Sequence, residues 1–320
     1  MSIDILLDNN KVIEPSEQFK QNAQYTSENI YADAEKERLN FWKEQANQLH
    51  WFKPWTETLI WNHPYSQWFV NGKINASYNC LDVHLNTDNA TKNALIWESE
   101  LGETKHITYE ELHKNVNKLA YQLKHELNIK KGDRVTIYMP MVPEIVVAVL
   151  ACARIGAIHS VVFGGFSAQS LKDRIDDSQS SLVITANGGY RRGKIIHLKQ
   201  TVDDSLDNWE HPVKHVLVLD YISDLATKTY DRDVDYHNLI QSGDDYLEAE
   251  AMDSEDKLFI LYTSGTTGKP KGIVHTTGGY LTHAKYSTKA VFDLQDNDIY
   301  WCTADVGWIT GHTYMIYGPL

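Results

Sequence analysis

A run of hydroxyl-bearing residues, glycines and lysines lies between Tyr262 and Gly272, where the sequence is YTSGTTGKPKG. Hydroxyl and ammonium groups bind phosphate oxygens, and glycines let backbone N–H groups approach an anion closely. The apolar run 258–261 has the composition of a buried strand, so we expect a loop that follows a strand. The predicted phosphate loop consists of Thr263, Ser264, Gly265, Thr266, Thr267, Gly268, Lys269 and Lys271.

A Walker A loop is the first alternative, and its spacing does not match. That motif places four residues between its glycines, whereas only two residues separate Gly265 from Gly268. Lys269 is followed by Pro270, which has no N–H to offer to a phosphate. The second alternative is a solvated loop without a ligand, which is common for this composition.

Two further glycine-rich segments follow apolar runs. FGGF covers 163–166, and NGGYRRGK covers 187–194. The second segment contains three cations around one glycine, Arg191, Arg192 and Lys194. Arginine binds phosphate oxygens through two parallel hydrogen bonds, so this segment indicates an anion site. A flexible strand exit for FGGF and a solvated basic turn for RRGK remain the alternatives.

A fourth segment, TADVGWITGH, covers 303–312 and follows the apolar run 299–302, which we expect to be a strand. Its loop would then face the same region as the glycine-rich loops. Ile309 belongs to this segment, and the alternative to a contact with a ligand is that its side chain packs in the core. Asp305 is as consistent with capping as with function, and we assign no catalytic role to His275, His283 or His312.

The phosphate-loop string resembles the signature of the acyl-adenylate-forming enzymes. The continuations GIVHTTGGYL and YWCTADVGWITGHTYMIYGPL, with the upstream YRRGKIIHLK, are similar to acetyl-coenzyme A synthetases in particular. The resemblance extends from about residue 20 to the end of the chain, over several independent strings in the same order.

This resemblance implies binding of ATP, Mg²⁺ and coenzyme A, together with acetate. It implies catalytic roles for Lys271 and Thr263 and an acyl pocket that contains Ile309 and Thr310. We assign no residue as a metal ligand. The coenzyme A-binding residues that it implies are Phe163, Gly164, Gly165, Arg191, Arg192, Gly193, Lys194 and Thr310.

The implied activity is acetate–CoA ligation through an acyl-adenylate. Propionyl- or acetoacetyl-CoA synthesis is the nearest alternative, and a non-catalytic nucleotide- or CoA-binding protein is another. Members of the family continue beyond the position of Leu320, so we expect the chain to be incomplete, without the small C-terminal domain, and inactive alone.

Alternating apolar runs and helical patterns predict a doubly wound α/β fold with mostly parallel sheets, because continuous Val/Ile runs are typical of parallel strands. Helices are expected from Pro143 to Ile155, ended by Gly156, and from Ala168 to about Asp177, capped by Ser167. Less regular predictions are a helix over 35–50, an irregular aromatic segment over 51–68, and a helix from about Tyr280. The predicted strands are 134–139, 158–163, 181–186, 215–220, 258–261 and 272–275.

The expected organisation is a polar lead-in over 1–30, an aromatic-rich segment over 31–130 and an incomplete α/β domain over 131–320. Thirty basic and 43 acidic residues give a net charge of −13, which disfavours sequence-independent nucleic-acid binding. The N-terminus lacks a signal-peptide pattern, and no apolar run is long enough to span a membrane. Three separated cysteines suit a reduced, cytoplasmic protein, and the oligomeric state is left open.

Overall fold

A computed structural model describes residues 12–263 and 269–320. Its centre is a seven-stranded sheet. The strands of the molecule are β1 (Glu57–Asn62), β2 (Tyr65–Val70), β3 (Lys73–Ile74), β4 (Asn93–Glu98), β5 (Thr104–Thr108), β6 (Arg134–Tyr138), β7 (Ile158–Val161), β8 (Leu182–Ala186), β9 (Gly189–Arg191), β10 (Lys194–Ile196), β11 (His215–Leu219), β12 (Asp233–Asp235), β13 (Met252–Asp253), β14 (Lys257–Thr263) and β15 (Lys271–Thr276).

Eleven helices are described, and the last continues as a π-helical stretch over His312–Tyr317. A short 3-10 helix also covers Asp82–His84. The helices are α1 (Glu17–Asn22), α2 (Ile30–Lys36), α3 (Arg38–Ala46), α4 (Ala76–Cys80), α5 (Tyr109–His125), α6 (Pro143–Arg154), α7 (Ala168–Ser178), α8 (Leu198–Leu206), α9 (Tyr236–Gln241), α10 (Thr277–Phe292) and α11 (Ile309–Gly311).

The strand order in the central sheet is β12-β11-β8-β6-β7-β14-β15. All neighbouring pairs are parallel except β14 and β15, which form an antiparallel hairpin. The chain moves outward from β6 to β7 and then crosses back over β6 to β8. Because such crossovers are right-handed, the reversal places α6 and α7 on opposite faces. The predicted doubly wound α/β fold is confirmed.

Strand and helix limits follow local sequence signals closely in this sheet. Strands β6, β7 and β8 are almost wholly buried, as their Val/Ile composition predicts. The predicted Pro143 start is confirmed, and Gly156 after α6 adopts φ +72°, which suits the expected C-cap. Ser167 caps α7 by accepting a hydrogen bond from the Ser170 amide at 3.3 Å.

Several predicted elements differ from the structure. The segment 51–68 is not irregular: β1 and β2 pair as an antiparallel hairpin, which the scattered prolines and aromatics concealed. The expected helix over 35–50 is two helices that meet at Glu37, and α3 ends at Ala46. The helix expected from Tyr280 begins three residues earlier, at Thr277.

One strand prediction near the end of the chain is wrong. Residues 299–302 form no strand and pair with none of the described strands; Ile299 is 80% and Trp301 83% exposed. The predicted strand at 272–275 is confirmed within β15, which forms the edge of the sheet and has exposed residues over 271–274.

A buried ion pair joins the N-terminal part of the chain to the central sheet. The Arg154 guanidinium is fully buried and donates to both oxygens of Asp82, at 2.7 and 2.9 Å. Burial alone would raise the pKa of Asp82, but hydrogen bonds from His113 and Arg154 outweigh it, so that pKa is lowered. A third bond runs from Arg154 Nε to the Leu247 carbonyl at 2.7 Å.

We expect Arg154→Met to lower the free energy of unfolding by about 3–5 kcal/mol, since the variant leaves the Asp82 carboxylate buried without its partner. Urea unfolding monitored by circular dichroism measures this. The control is Lys73→Met, which removes a half-exposed ion pair with Asp253 and should cost less than about 1 kcal/mol. Equal effects of the two substitutions would contradict the assigned importance of the buried pair.

Candidate functional site

A cavity of about 280 Å³ lies at the carboxyl ends of β6, β7 and β8, where the crossover direction reverses. In open α/β sheets this crevice is where ligands bind. Each strand contributes the loop that follows it, and the β4–β5 turn covers one side. The residues that line the cavity include Trp97, Glu100, Phe163, Gly164, Gly165, Arg191, Tyr221 and Asp305.

Hydrogen bonds fix the backbone of the FGGF segment. The hydroxyl of buried Tyr138 lies 3.0 Å from the Gly164 carbonyl oxygen and 2.8 Å from that of Phe166. The Phe166 amide donates to the Phe163 carbonyl at 3.0 Å, which closes a turn. The segment is therefore an ordered turn and not the flexible strand exit considered as an alternative.

Arg191 lies against this turn. Its guanidinium carbon is 4.8 Å from the centre of the Phe163 ring, within the range of a cation–π contact. Gly165 has no room for a side chain, because a Cβ there would collide with the Arg191 guanidinium and the Phe163 ring. Phe163, Gly164, Gly165 and Arg191 thus line one cavity.

The RRGK segment is the tip of a hairpin and not an open loop. Strands β9 and β10 pair antiparallel, and Arg192 and Gly193 turn the chain with φ +52° and +71°. Two left-handed residues in succession are typical of a tight hairpin turn, in which glycine is favoured. The Gly193 amide donates to the Glu100 carboxylate, so the β4–β5 turn ties down this tip. Arg192 and Lys194 are exposed and do not line the cavity.

Sequence reasoning assigned no role to Asp305, although the structure places it in this cavity. The Asp305 side chain accepts a hydrogen bond from the Gly307 amide at 2.7 Å. Burial raises its pKa, and the positive charge of Arg191 partly opposes that rise. Trp97 and Tyr221 also line the cavity from distant parts of the chain, and no local pattern in the sequence marked them.

The ends of the predicted phosphate loop are described, and its centre is not. Thr263 ends β14 and pairs in register with Lys271, which begins β15. Both side chains are exposed, as is Lys269. Within residues 12–263 and 269–320, neither lysine has a carboxylate within salt-bridge distance. The predicted residues Ser264, Gly265, Thr266, Thr267 and Gly268 lie outside the described residues.

A second cavity, of about 660 Å³, contains the residues expected in an acyl pocket. Ile309 is 44% exposed and faces this space with Thr310, so core packing does not explain it. The walls include several aromatic side chains, among them Trp68 and Tyr280. Thr310 therefore lines a different cavity from Phe163 and the other predicted coenzyme A residues, and the structure does not bring the two sets together in one space.

The nearby histidines have the character of neutral structural groups. Burial lowers the pKa of His312 to about 4, and burial also lowers the pKa of His275. The His312 ring packs 4.6 Å from the centre of Phe259.

In the described part of the chain, no cluster of three or more His, Cys, Asp or Glu side chains is arranged to hold a metal ion. No helix within 12–263 or 269–320 has the length and apolar character needed to cross a membrane. The three cysteines are free thiols, of which Cys80 and Cys152 are buried.

Comparison with known proteins gives two family matches. Residues 84–320 match the AMP-binding enzyme family, and residues 27–80 match the family described as the acetyl-coenzyme A synthetase N-terminus. The solved structure of acetoacetyl-CoA synthetase from Streptomyces lividans superposes with a TM-score of 0.84 at 25% identity, covering 94% of this chain and 48% of that one.

Curated relatives agree with these matches. Acetyl-coenzyme A synthetase from Rubrobacter xylanophilus is 50% identical over 97% of this chain and 48% of its own length. The enzyme of the same name from Chlorobaculum tepidum is 49% identical over 100% of this chain and 49% of its own length. The chain thus spans about half the length of these relatives. Its family match over 84–320, most of its length, shows that the chain belongs to the AMP-binding enzyme family.

Proposed function

We propose that this chain supplies the phosphate- and coenzyme A-binding part of an AMP-forming acetate–CoA ligase. The single observation that carries the proposal is the cavity at the sheet's switch point, where Arg191 lies on the Phe163 ring of the FGGF turn. The similarity to curated acetyl-coenzyme A synthetases supports acetate as the acyl substrate.

The first half-reaction joins a carboxylate to the α-phosphorus of ATP and releases pyrophosphate. A carboxylate is a poor electrophile, because its charge repels nucleophiles and oxide is a poor leaving group. In adenylation a carboxylate oxygen bonds to the α-phosphorus, so that this oxygen can later leave as part of AMP. Several anions meet in this step, so cations and preorganised donors must offset their repulsion.

The exposed ends of the β14–β15 hairpin suit that requirement. Thr263 offers a hydroxyl, and Lys269 and Lys271 offer charges that no described carboxylate pairs with. We assign Lys271 to the departing pyrophosphate and Thr263 to a phosphate oxygen, as the catalytic pair. Both residues lie where the strands enter and leave the loop, so the sheet fixes their spacing.

Mg²⁺ fits this donor set through the nucleotide. It binds ATP enzymes mainly through phosphate oxygens and water, with few protein ligands. The described residues offer the Thr263 hydroxyl and the ammonium groups of Lys269 and Lys271, which would contact phosphate oxygens of such a nucleotide complex. When bound, Mg²⁺ would neutralise phosphate charge.

The second half-reaction transfers the acyl group to the thiol of coenzyme A and releases AMP. We assign the anionic nucleotide end of coenzyme A to the hairpin tip of Arg191, Arg192, Gly193 and Lys194, beside the FGGF turn. Ile309 and Thr310, which line the second cavity of about 660 Å³, would contact the acyl group, and Thr310 would also meet the pantetheine end.

The second candidate is another short-chain acyl-CoA synthetase, and the structural similarity to an acetoacetyl-CoA synthetase favours keeping it. Rates of pyrophosphate exchange with acetate, propionate and acetoacetate, measured on a full-length protein that contains this sequence, decide between them. A non-catalytic binding protein would bind ATP and coenzyme A in calorimetric titrations and show no exchange with any of the acids.

Lys271→Ala should lower acetate-dependent pyrophosphate exchange about 10²-fold, because one electrostatic contact to the transition state is lost. The KM for acetate should change little, since the lysine does not contact the acid. The assay uses a full-length protein that contains this sequence. The matched control is Lys257→Ala, at the far end of the same hairpin, which should exchange at the normal rate. Near-normal exchange in Lys271→Ala would remove the proposed role.

Arg191→Ala should weaken coenzyme A binding roughly tenfold or more, because charge-assisted hydrogen bonds to phosphate are lost. Adenylate formation should stay nearly unchanged. Calorimetric titration of the 320-residue chain with coenzyme A measures the first effect, and pyrophosphate exchange in a full-length protein measures the second. Arg38→Ala, an exposed arginine on α3 outside the cavity, is the control. Equal loss in both half-reactions would assign Arg191 a structural role.

A further inference from the structure

Arg174 is a buried cation for which the proposed mechanism has no use. It lies on α7, is 8% exposed, and has no carboxylate within salt-bridge distance among the described residues. Among the described residues, the one hydrogen bond of its guanidinium runs from Nη1 to the Ser170 carbonyl at 2.6 Å. Buried charges normally have a partner that compensates for lost hydration, so the neighbours of this guanidinium need an account.

Two aromatic rings are those neighbours. The guanidinium carbon lies 4.6 Å from the centre of Phe166 and 5.6 Å from the centre of Tyr262. Both distances are within the range of cation–π contacts, which strengthen when the cation is removed from water. Arginine suits this position because its flat, weakly hydrated head stacks on rings, whereas an ammonium group remains a strongly hydrated point charge.

The two rings belong to the two proposed ligand loops. Phe166 ends the FGGF turn, whose other ring, Phe163, carries Arg191 and lies 5.6 Å from Phe166. Tyr262 is the residue before Thr263, where the phosphate loop begins. One side chain of α7 therefore contacts a ring from each loop.

The sheet itself holds the end of β14 weakly on this side. Strands β7 and β14 pair at a single position, Phe259 opposite His159, so residues 260–263 are paired only with β15. Side chains of α7 contact this end of β14 where hydrogen bonds to β7 are absent. Besides Arg174, the Asp177 carboxylate accepts a hydrogen bond from the Tyr262 hydroxyl at 2.6 Å.

We propose that Arg174 is a positioning residue that fixes the FGGF turn and the start of the phosphate loop relative to each other, through Phe166 and Tyr262. The inference rests on the proposed function for the identity of the two loops. Its physical content, that one cation orders both segments, stands on the contacts alone.

Amide hydrogen exchange of the 320-residue chain tests that content directly. In Arg174→Met, amides of 163–166 and of 260–263 should both exchange severalfold faster, while those of β6 and β8 keep their rates. Arg174→Lys keeps the charge without the planar head, so its exchange rates at 163–166 and 260–263 should lie between those of the wild type and those of Arg174→Met. The matched control is Lys172→Met on the same helix, whose ammonium lies 5.0 Å from Trp209, away from both loops. Unchanged exchange at both segments would overturn the proposal.

Coenzyme A affinity separates positioning from general stability. Thermal unfolding first establishes that each variant is folded at the titration temperature. If Arg174→Met is unfolded there, the coenzyme A affinity of Arg174→Lys is used for the comparison. We expect the folded variant to bind coenzyme A about tenfold more weakly, and Lys172→Met to bind normally. Wild-type affinity in a folded Arg174 variant would count against the proposal. Failure of the unmodified chain to bind coenzyme A would instead count against the proposed function, and the exchange result would still decide the role of Arg174.

Discussion

The reversal of crossover direction after β7 is the constraint on which the candidate site depends. Parallel strands need long connections, and right-handed crossovers place helices on opposite faces when the direction changes. The connections then separate at the carboxyl ends of the strands and leave a crevice. The 280 Å³ cavity occupies that crevice, and its wall is built from the loops after β6, β7 and β8.

Charge is distributed in a way that the net value of −13 conceals. The hairpin tip at 191–194 and the described ends of the predicted phosphate loop carry exposed cations. Glu100 and Asp305 both reach the cavity, and each accepts a hydrogen bond from a backbone amide. The carboxylates thereby order the loops of a site whose arginine and lysine side chains remain available to an anion.

Polar groups also hold distant parts of the chain in place. The Asp82–Arg154 pair fixes the segment after α4 against the last turn of α6, the helix between β6 and β7. Tyr138, at the end of β6, bonds the carbonyls of the FGGF turn. Backbone groups that a turn does not pair within itself need partners elsewhere, and here a neighbouring strand supplies one.

Sequence alone determined the elements whose residues agree locally with their surroundings. The Val/Ile runs of β6, β7 and β8 are buried on both faces, and the caps at Ser167 and Gly156 follow from side-chain and backbone preferences of single residues. The family resemblance extended this to the expected ligands, because the strings at 163–166, 191–194 and 262–272 are specific combinations of residues.

Only the tertiary structure decided which of these residues share a space. The sequence gives no sign that Arg191 stacks on Phe163, that Glu100 holds the Gly193 amide, or that Arg174 contacts one ring from each loop, because the partners lie far apart along the chain. The apolar run 299–302 shows that a local pattern can also predict a strand that the structure lacks. A strand requires a neighbouring strand to pair with, and residues 299–302 pair with none of the described strands, which no local pattern records.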